Sequence, residues 1–421
     1  MRRFDSLPVF FFRFSSLRRL VPAALIPLVC LCCMSCNSTK KTPVPVLLVN
    51  SEMQRVPNSW QLDFKEKIKW DYASGVELAG MIAAADFYGI PAVKDYFIAY
   101  CDTMVNDDGT IKTYKPSEES LDRIHSAKLF FRAYEETGKD KYRKALDLVF
   151  SQFSHQPRNA DGGFWHKRVY PYQMWLDGLY MGEPFYAQYL TTYADELGDS
   201  ALQAGYEDIV NQFVTCAHHT FDATTGLFRH AYDDARQQAW ADSLTGQSAH
   251  CWGRALGWYS MALVDAMDWL PSQYQAPLDS IFSVVAEGVA RYQDDDSGLW
   301  FQVMDQPRRE GNYLESSCSA MFTYALYKGI RTGHLPESYL SVAERAYEGM
   351  LAQFIETDSE TGLVSFTRTC AVAGLGGNPY RSGTFDYYVG ETIRANDPKA
   401  VGPFLLACIE HDKRLQRSAD K

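Results

Sequence analysis

The chain of 421 residues carries a formal net charge of −11, and 46% of its residues are hydrophobic. That is enough apolar material for one large domain or for two or three ordinary ones. Because an acidic chain repels phosphate backbones, a nucleic-acid partner is disfavoured. Six cysteines follow Cys36 at wide spacing without a CxxC pair, so the sequence predicts neither a zinc site nor an obligatory disulfide framework, and we expect buried thiols.

The N-terminus has the pattern of a targeting segment. Five arginines precede the apolar run 20–34, which is too short for a comfortable membrane helix. The run ends in Cys33-Met34-Ser35-Cys36, which resembles a bacterial lipobox although Cys33 replaces the usual Leu. We therefore predict a lipoprotein signal peptide over residues 1–35 and lipidation of Cys36, with ordinary secretion as the alternative. Losing five Arg and one Asp with it lowers the formal charge by four, from −11 to −15.

The rest of the chain is predicted to be helical. Residues 36–60 are polar and contain proline, which predicts a tether. Over residues 61–421, apolar residues recur every three or four positions, as on buried helix faces. A turn of acidic or small residues, a glycine and an apolar or aromatic pair recurs at intervals of 54 to 72 residues, around Gly109, Gly163, Gly226, Gly298 and Gly362.

Each interval fits two helices with their loops, so the repeat indicates about six helical hairpins. The natural closure is an all-α (α/α)6 toroid, in which a ring of inner helices is surrounded by outer helices. An open helical solenoid is the alternative. The turns would join an outer helix to the next inner helix, and their aromatic residues would line one mouth of the toroid.

Segment 162–189 places aromatic rings around Asp177 among several helix-interrupting Gly and Pro residues. Because Pro is favoured in the first turn of a helix, a helix beginning near Pro184 would leave Asp177 in the preceding loop, at the mouth. Aromatic neighbours such as Trp175 would partly desolvate this carboxylate and suit it to acid catalysis. A helix N-cap is the other role open to Asp177.

A second carboxylate, Asp122, is predicted to begin the preceding inner helix. A favourable helix dipole or a salt bridge with Arg123 would explain it, yet carboxylates at matching ends of neighbouring helices can also approach and share a proton. His166 and His230 follow two of the repeated turns at the same relative place, which favours positions at the mouth.

The segment 250–258 forms a further polar and aromatic cluster. The guanidinium of Arg254 can bind a carboxylate, and the indoles of Trp252 and Trp258 can stack on sugar rings. The alternative is an ordinary helix start, with the Trp side chains in the core and Arg254 in a surface salt bridge.

Several motifs together resemble a known family, the unsaturated rhamnogalacturonyl hydrolases of glycoside hydrolase family 105, and more distantly the unsaturated glucuronyl hydrolases of family 88. The likeness spans about residues 65 to 410 and implies the (α/α)6 fold. The motifs are Trp165-His166-Lys167, Gln173 to Met181, Trp252-Gly253-Arg254 with Gly257-Trp258, Gly298 to Val303 with Asn312 to Glu315, and Asn396 to Phe404.

The resemblance also implies a chemistry that departs from the usual two-carboxylate scheme. The substrate would be an acidic oligosaccharide, cut by a lyase so that it ends in a 4,5-unsaturated uronic acid. A general acid protonates the vinyl ether carbon and activates a water that adds to the neighbouring carbon. The resulting hemiketal opens and releases the remaining sugar.

Transferred by motif, Asp177 would be the acid and base, and Asp122 would tune it and contact the sugar. The predicted substrate-binding residues are Tyr72, His166, Lys167, Trp175, His230, Trp252, Arg254 and Trp258, with His166 and Lys167 as cations for the uronate. Neither a metal nor an organic cofactor is implied.

The sequence departs from the family at two places, Ala255-Leu256 and His125 to Lys128, where the family often has Gly-Asn and Asn-x-Gly-Lys. We expect a lipid-anchored enzyme of the Gram-negative cell envelope, in the periplasm or on the outer membrane, acting on rhamnogalacturonan fragments of pectin. The alternatives are a glucuronyl hydrolase for glycosaminoglycan or ulvan fragments and a non-catalytic glycan-binding lipoprotein.

Overall fold

The structure is a computed structural model that describes residues 42–419. The predicted signal peptide over residues 1–35 and the predicted lipidation site Cys36 lie outside the described residues. Within residues 42–419, no helix combines the length and the apolar character needed to cross a membrane.

Helices dominate the described chain and alternate between two layers. They are α1 Val44–Arg55, α2 Tyr72–Tyr88, α3 Ala92–Met104, α4 Lys128–Thr137, α5 Asp140–Phe150, α6 Leu176–Thr192, α7 Ala194–Leu197, α8 Asp199–Thr220, α9 Gly253–Met267, α10 Ala276–Arg291, α11 Ser316–Thr332, α12 Leu340–Gln353, α13 Phe385–Val389 and α14 Pro398–Ala419.

Six of these helices form a closed inner ring. In ring order they are α2, α4, α6, α9, α11 and α14, and α14 packs back against α2. The outer helices α3, α5, α8, α10 and α12 each pack on the inner helix that precedes them. This ring is the predicted (α/α)6 toroid, and its closure rules out an open solenoid.

The inner helices α9 and α11 are covered by neighbours on almost every side. Every residue of α9 is buried, as is every residue from Ser316 to Gly329 of α11. Small residues let the ring close tightly. A Cβ on Gly80 of α2 would meet the carbonyl oxygen of Gly402 in α14 at 2.6 Å, so glycine is required at this contact.

The predicted tether over residues 36–60 is wrong from residue 44 onward. Val44–Arg55 is a helix whose Leu48 and Val49 are fully buried. The Ser51 hydroxyl accepts a hydrogen bond from the backbone N–H of Val364 at 2.9 Å. The run of apolar residues from 44 to 49 was the missed signal, because a solvated tether would not contain it.

Short antiparallel strand pairs accompany the turns at one end of the ring. The pairs are β1 Gln173–Trp175 with β4 Ala231–Asp233, β2 Phe221–Asp222 with β3 Leu227–Phe228, β5 Ile355–Thr357 with β6 Val364–Phe366, and β7 Thr369–Cys370 with β8 Ile393–Arg394.

The five repeated turns connect an outer helix to the next inner helix, as predicted, and each has one glycine at positive φ: Gly109, Gly162, Gly226, Gly298 and Gly362. In the second turn this residue is Gly162 and not Gly163. The aromatic residues after the glycines, such as Phe164, Phe228 and Trp300, are buried in the core. The prediction that they line the mouth is therefore wrong.

The six cysteines of the described chain are free and buried: Cys101, Cys216, Cys251, Cys318, Cys370 and Cys408.

Candidate active site

A cavity of about 820 Å³ opens among the loops that precede the inner helices. Three predicted site residues line it: Tyr72 at the start of α2, Asp122 and Lys167. Burial, followed by the charge of Asp122, raises the pKa of Tyr72 well above its usual value, so its phenol is neutral. The cavity also has cationic side chains on its wall, including Lys69 and Arg168.

Asp122 lies on a 3-10 turn, Leu121–Arg123, ahead of α4. Its Oδ2 is ion-paired with the Lys167 ammonium, and its Oδ1 lies 3.3 Å from Nε2 of His166. Burial works to raise the pKa of Asp122, but the charges of Lys167 and His166 outweigh it and hold this pKa below its usual value. The predicted salt bridge with Arg123 is wrong, since Arg123 pairs with Glu118 at 3.1 Å. Asp122 is therefore an ionised, firmly held carboxylate.

His166 lies beneath the cavity wall, with 2% of its surface exposed. Burial lowers its pKa to about 4, although the charge of Asp122 opposes this change. The prediction that His166 is a cation for a uronate is thus wrong near neutrality, and Lys167 remains as the cation at this point. The imidazole stacks on the indole of Trp175, with 4.6 Å between ring centroids.

Asp177 lies in the first turn of α6, which begins at Leu176 after the N-cap residue Trp175. Pro184 is inside this helix, so the predicted loop position and the alternative N-cap role are both wrong. The Asp177 side chain is 13% exposed, and its Oδ2 lies 3.2 Å from Nε2 of His230. Among the described residues, neither of these two atoms makes a well-directed hydrogen bond.

Backbone pairing brings His230 to Asp177. Trp175 of β1 pairs with Ala231 of β4, and the N–H of Leu176 donates to the carbonyl of His230 at 3.1 Å. His230 is fully buried, and its Nδ1 lies 2.7 Å from the hydroxyl of Tyr388. Both predicted histidines are thus buried at the inner end of the site rather than exposed at the mouth.

Gly178 allows the two carboxylate regions to approach each other. A Cβ at this position would meet Nδ1 of His166 at 3.2 Å and Cδ1 of Leu121 at 2.9 Å. The ring of His166 therefore has Asp122 near Nε2 and the first turn of α6, at Gly178, near Nδ1.

The predicted cluster at the start of α9 is also buried. Trp252 lies 4.8 Å from the ring of His230, and Trp258 stacks on Tyr180 at 4.9 Å between centroids. Arg254 is 1% exposed and donates to Glu315 at 3.3 Å and to the carbonyl of Cys370. The alternative of a surface salt bridge for Arg254 is therefore wrong.

Sequence reasoning missed residues that come from segment 371–392, between β7 and β8. From this segment, Tyr388 contacts His230, and Arg381 donates to the hydroxyl of Tyr170 at 2.8 Å. Tyr170 in turn stacks on Trp175 with 5.2 Å between centroids. The segment lies outside the repeated turns, so the periodicity gave no signal for it.

The two departures from the family pattern add no polar contact in the cavity. Ala255 and Leu256 are fully buried in the core, and His125 packs on Tyr180 with 4.7 Å between centroids. Within residues 42–419, no three His, Cys, Asp or Glu side chains are grouped as metal ligands.

The toroid and the acidic and cationic side chains on the cavity wall fit an enzyme that acts on an acidic carbohydrate, and comparison with known proteins identifies the family. The sequence model of Glycosyl Hydrolase Family 88 matches residues 46–415. A solved glycoside hydrolase of family 105 from C. acetobutylicum is 39% identical, with a TM-score of 0.82 over 88% of this chain and 100% of its own. The chain belongs to glycoside hydrolase family 105, within the larger group of families 88 and 105.

Two further relatives give the range of the group. The unsaturated rhamnogalacturonyl hydrolase YesR of Bacillus subtilis is 26% identical over 74% of this chain and 81% of its own. The unsaturated glucuronyl hydrolase of Bacillus sp. GL1, described as responsible for the degradation of glycosaminoglycan, is 13% identical. It has a TM-score of 0.59 over 88% of this chain and 95% of its own, and it shares the fold.

Proposed function

We propose that this enzyme removes a 4,5-unsaturated uronic acid from the non-reducing end of rhamnogalacturonan oligosaccharides produced by a lyase. The observation that carries the proposal is a pair of carboxylates with unlike environments, Asp122 beside His166 and Asp177 beside His230. Asp122 is held ionised by Lys167, whereas Asp177 has one oxygen without a well-directed hydrogen bond. The likeness to YesR supports rhamnogalacturonan as the substrate class.

In this proposal Asp177 both donates and accepts the proton. Its carboxylic acid protonates C4 of the unsaturated sugar, and the carboxylate then takes a proton from water while the hydroxyl adds to C5. One water is consumed and Asp177 returns to its initial state. The hemiketal at C5 opens to a ketone and leaves C1 as an open-chain hemiacetal. This hemiacetal collapses to an aldehyde as its C1–O bond to the remaining sugar breaks, and the former glycosidic oxygen leaves with that sugar as a hydroxyl.

The cavity wall that carries Lys167 would hold the substrate. Lys167 borders the cavity and supplies positive charge for the uronate, while Asp122 keeps the ammonium in place and accepts hydrogen bonds from sugar hydroxyls. Lys69 and Arg168 extend this cationic wall toward solvent, which favours an acidic oligosaccharide over a neutral one.

A panel of unsaturated disaccharides tests the reaction and the substrate class. The mature protein is incubated with lyase products of rhamnogalacturonan, chondroitin and ulvan, and the ultraviolet absorbance of the double bond is followed together with product mass. We expect absorbance to fall fastest with the rhamnogalacturonan product, with one water added per bond cleaved. Preference for another product would contradict the substrate class, and no loss with any of them would contradict the reaction.

For the location we propose a lipid anchor on Cys36 in the cell envelope of a Gram-negative bacterium. The lipobox-like residues Cys33 to Cys36 support it. Labelled fatty acid supplied to expressing cells is expected to enter the wild-type protein and not the Cys36→Ala variant. Equal labelling of both proteins, or no labelling of either, would contradict the anchor.

A further inference from the structure

One residue of the site comes from outside the repeated hairpins. Tyr388 lies on α13, a short helix within segment 371–392, and is fully buried. Its hydroxyl is 2.7 Å from Nδ1 of His230, whose Nε2 lies 3.2 Å from Oδ2 of Asp177. The three side chains thus form a row that ends at the carboxylate to which we assign the proton transfer.

The chemistry of this row selects one tautomer of His230. A carboxyl oxygen that carries no proton accepts hydrogen bonds only, so the nitrogen that faces Oδ2 of Asp177 is favourable when it carries a hydrogen. In a neutral imidazole the other nitrogen, Nδ1, must then be an acceptor. The hydroxyl of Tyr388 is positioned to donate to it. If Tyr388 were absent, the tautomer with hydrogen on Nδ1 would place the Nε2 lone pair against the carboxylate.

We propose that Tyr388 is a positioning residue that fixes the Nε2–H tautomer of His230 and so places an N–H group, rather than a lone pair, next to Asp177. This inference rests on the proposed function only where it concerns the rate of the reaction. The arrangement of the three side chains is a property of the protein without substrate, and it can be measured separately.

The surroundings of Tyr388 keep its hydroxyl in place. Its ring stacks on Trp252, with 5.9 Å between centroids and an angle of 22° between planes. The side-chain amide of Gln302 donates to the Tyr388 carbonyl at 3.2 Å. Burial, followed by the neighbouring Tyr387 and Asp177, raises the pKa of Tyr388 well above its usual value. The phenol therefore keeps its hydrogen and can donate it.

The adjacent residue provides a matched control. Tyr387 lies on the same short helix, and its hydroxyl accepts a hydrogen bond from the N–H of Gly374 at 3.0 Å. Tyr387→Phe thus removes a hydroxyl and a hydrogen bond from the same segment without affecting His230. Tyr388→Phe removes the contact with Nδ1 and keeps the aromatic ring.

Two measurements on the mature protein test the proposal. In nitrogen-15 spectra of the nine histidines, with His230 assigned from a His230→Gln variant, we expect Nε2–H in the wild type and in Tyr387→Phe. In Tyr388→Phe we expect a shift toward Nδ1–H. With the unsaturated disaccharide, Tyr388→Phe should lower kcat about 10-fold and change KM less than about 2-fold, as for other residues that orient a functional histidine.

Each alternative outcome contradicts the proposal. An unchanged tautomer in Tyr388→Phe overturns it, and so does an equal loss of kcat in Tyr387→Phe, which would indicate general loosening of segment 371–392. If the wild-type enzyme hydrolyses no unsaturated uronide, the proposed function fails, and the spectra without substrate still decide the role of Tyr388.

Discussion

Asp122 and Asp177 each lie beside a buried histidine, His166 and His230 respectively, yet their surroundings are opposite. Asp122 is bound by the Lys167 ammonium and approached by Nε2 of His166, with its pKa held below the usual value. Asp177 faces the buried ring of His230, and the oxygen that faces it, Oδ2, makes no well-directed hydrogen bond. A carboxylate that is fully paired resists protonation, whereas one with few partners can exchange a proton at little cost.

The contrast indicates how one site can hold two carboxylates with different tasks. Fixed charge next to the cavity suits binding, and a loosely held carboxylate suits proton transfer. Four variants test this division, beginning with the largest expected effect.

Asp177→Asn is expected to lower kcat by about 1,000-fold, because an amide cannot donate the proton to carbon. The control is Glu183→Gln, which lies on the same helix and is buried. Burial, together with the charge of Asp208, raises the pKa of Glu183 well above its usual value, so this side chain is neutral and Gln is a close replacement. Steady-state rates with unsaturated disaccharide give both numbers. Full activity in Asp177→Asn would remove this residue from the mechanism.

Asp122→Asn is expected to lower kcat/KM by about 100-fold, less than the Asp177 variant, because it alters the binding wall without removing the proton donor. The matched control is Asp63→Asn in the same cavity, where Asp63 pairs with Arg394 at 2.6 Å. We expect a loss of less than about 10-fold there. If Asp122→Asn were more damaging to kcat than Asp177→Asn, the two roles would have to be exchanged.

His166 makes stability depend on pH. Its folded pKa of about 4 is below the ordinary value of 6.5, so the unfolded chain binds the proton more readily, and stability falls as pH drops from 6.5 toward 4. Between about pH 7 and about pH 5 this residue should contribute a loss of about 2 kcal/mol in the free energy of unfolding. Urea denaturation of wild type and His166→Gln measures it, and the variant should lose less stability. If both proteins lost the same stability, His166 would take up its proton in the folded state as readily as in the unfolded chain.

Gly178 tests how closely the two regions must approach. Gly178→Ala brings a Cβ within 3.2 Å of Nδ1 of His166, whereas Gly182→Ala on the same helix meets nothing closer than 3.5 Å. Both changes favour helix by up to about 1 kcal/mol, but overpacking should leave Gly178→Ala about 1 to 2 kcal/mol less stable than Gly182→Ala. Thermal unfolding compares the two, and equal stabilities would show that this contact yields easily.

The repeat revealed the toroid because each hairpin needs the same turn, and the glycine at positive φ is a requirement that the sequence records directly. A second signal went unused. Asp222, Asp294 and Asp358 each precede the turn glycine by four residues, and each accepts hydrogen bonds from the turn backbone. The second turn lacks this signal, because its aspartate, Asp161, directly precedes Gly162.

The structure corrects the predicted surroundings of several candidate site residues. His166 and His230 were singled out because each follows a repeated turn, and both are the fourth residue after the positive-φ glycines Gly162 and Gly226 that the structure shows. The burial that makes His166 neutral is a tertiary property. Pro184 misplaced the start of α6 because a helix interior can tolerate proline where tertiary packing outweighs its cost. Tyr388 belongs to an irregular segment, and no periodic signal can reveal such a residue.

Contacts between early and late parts of the described chain close the ring. Arg55 of the first helix donates to the hydroxyl of Ser365, 310 residues later, and the last helix packs on α2. The ribosome therefore makes α1 and α2 early, and it makes Ser365 and α14, which contact them, much later. Until then the apolar face of α2 lacks its cover, so interrupted translation yields fragments that are prone to aggregate and not smaller working enzymes.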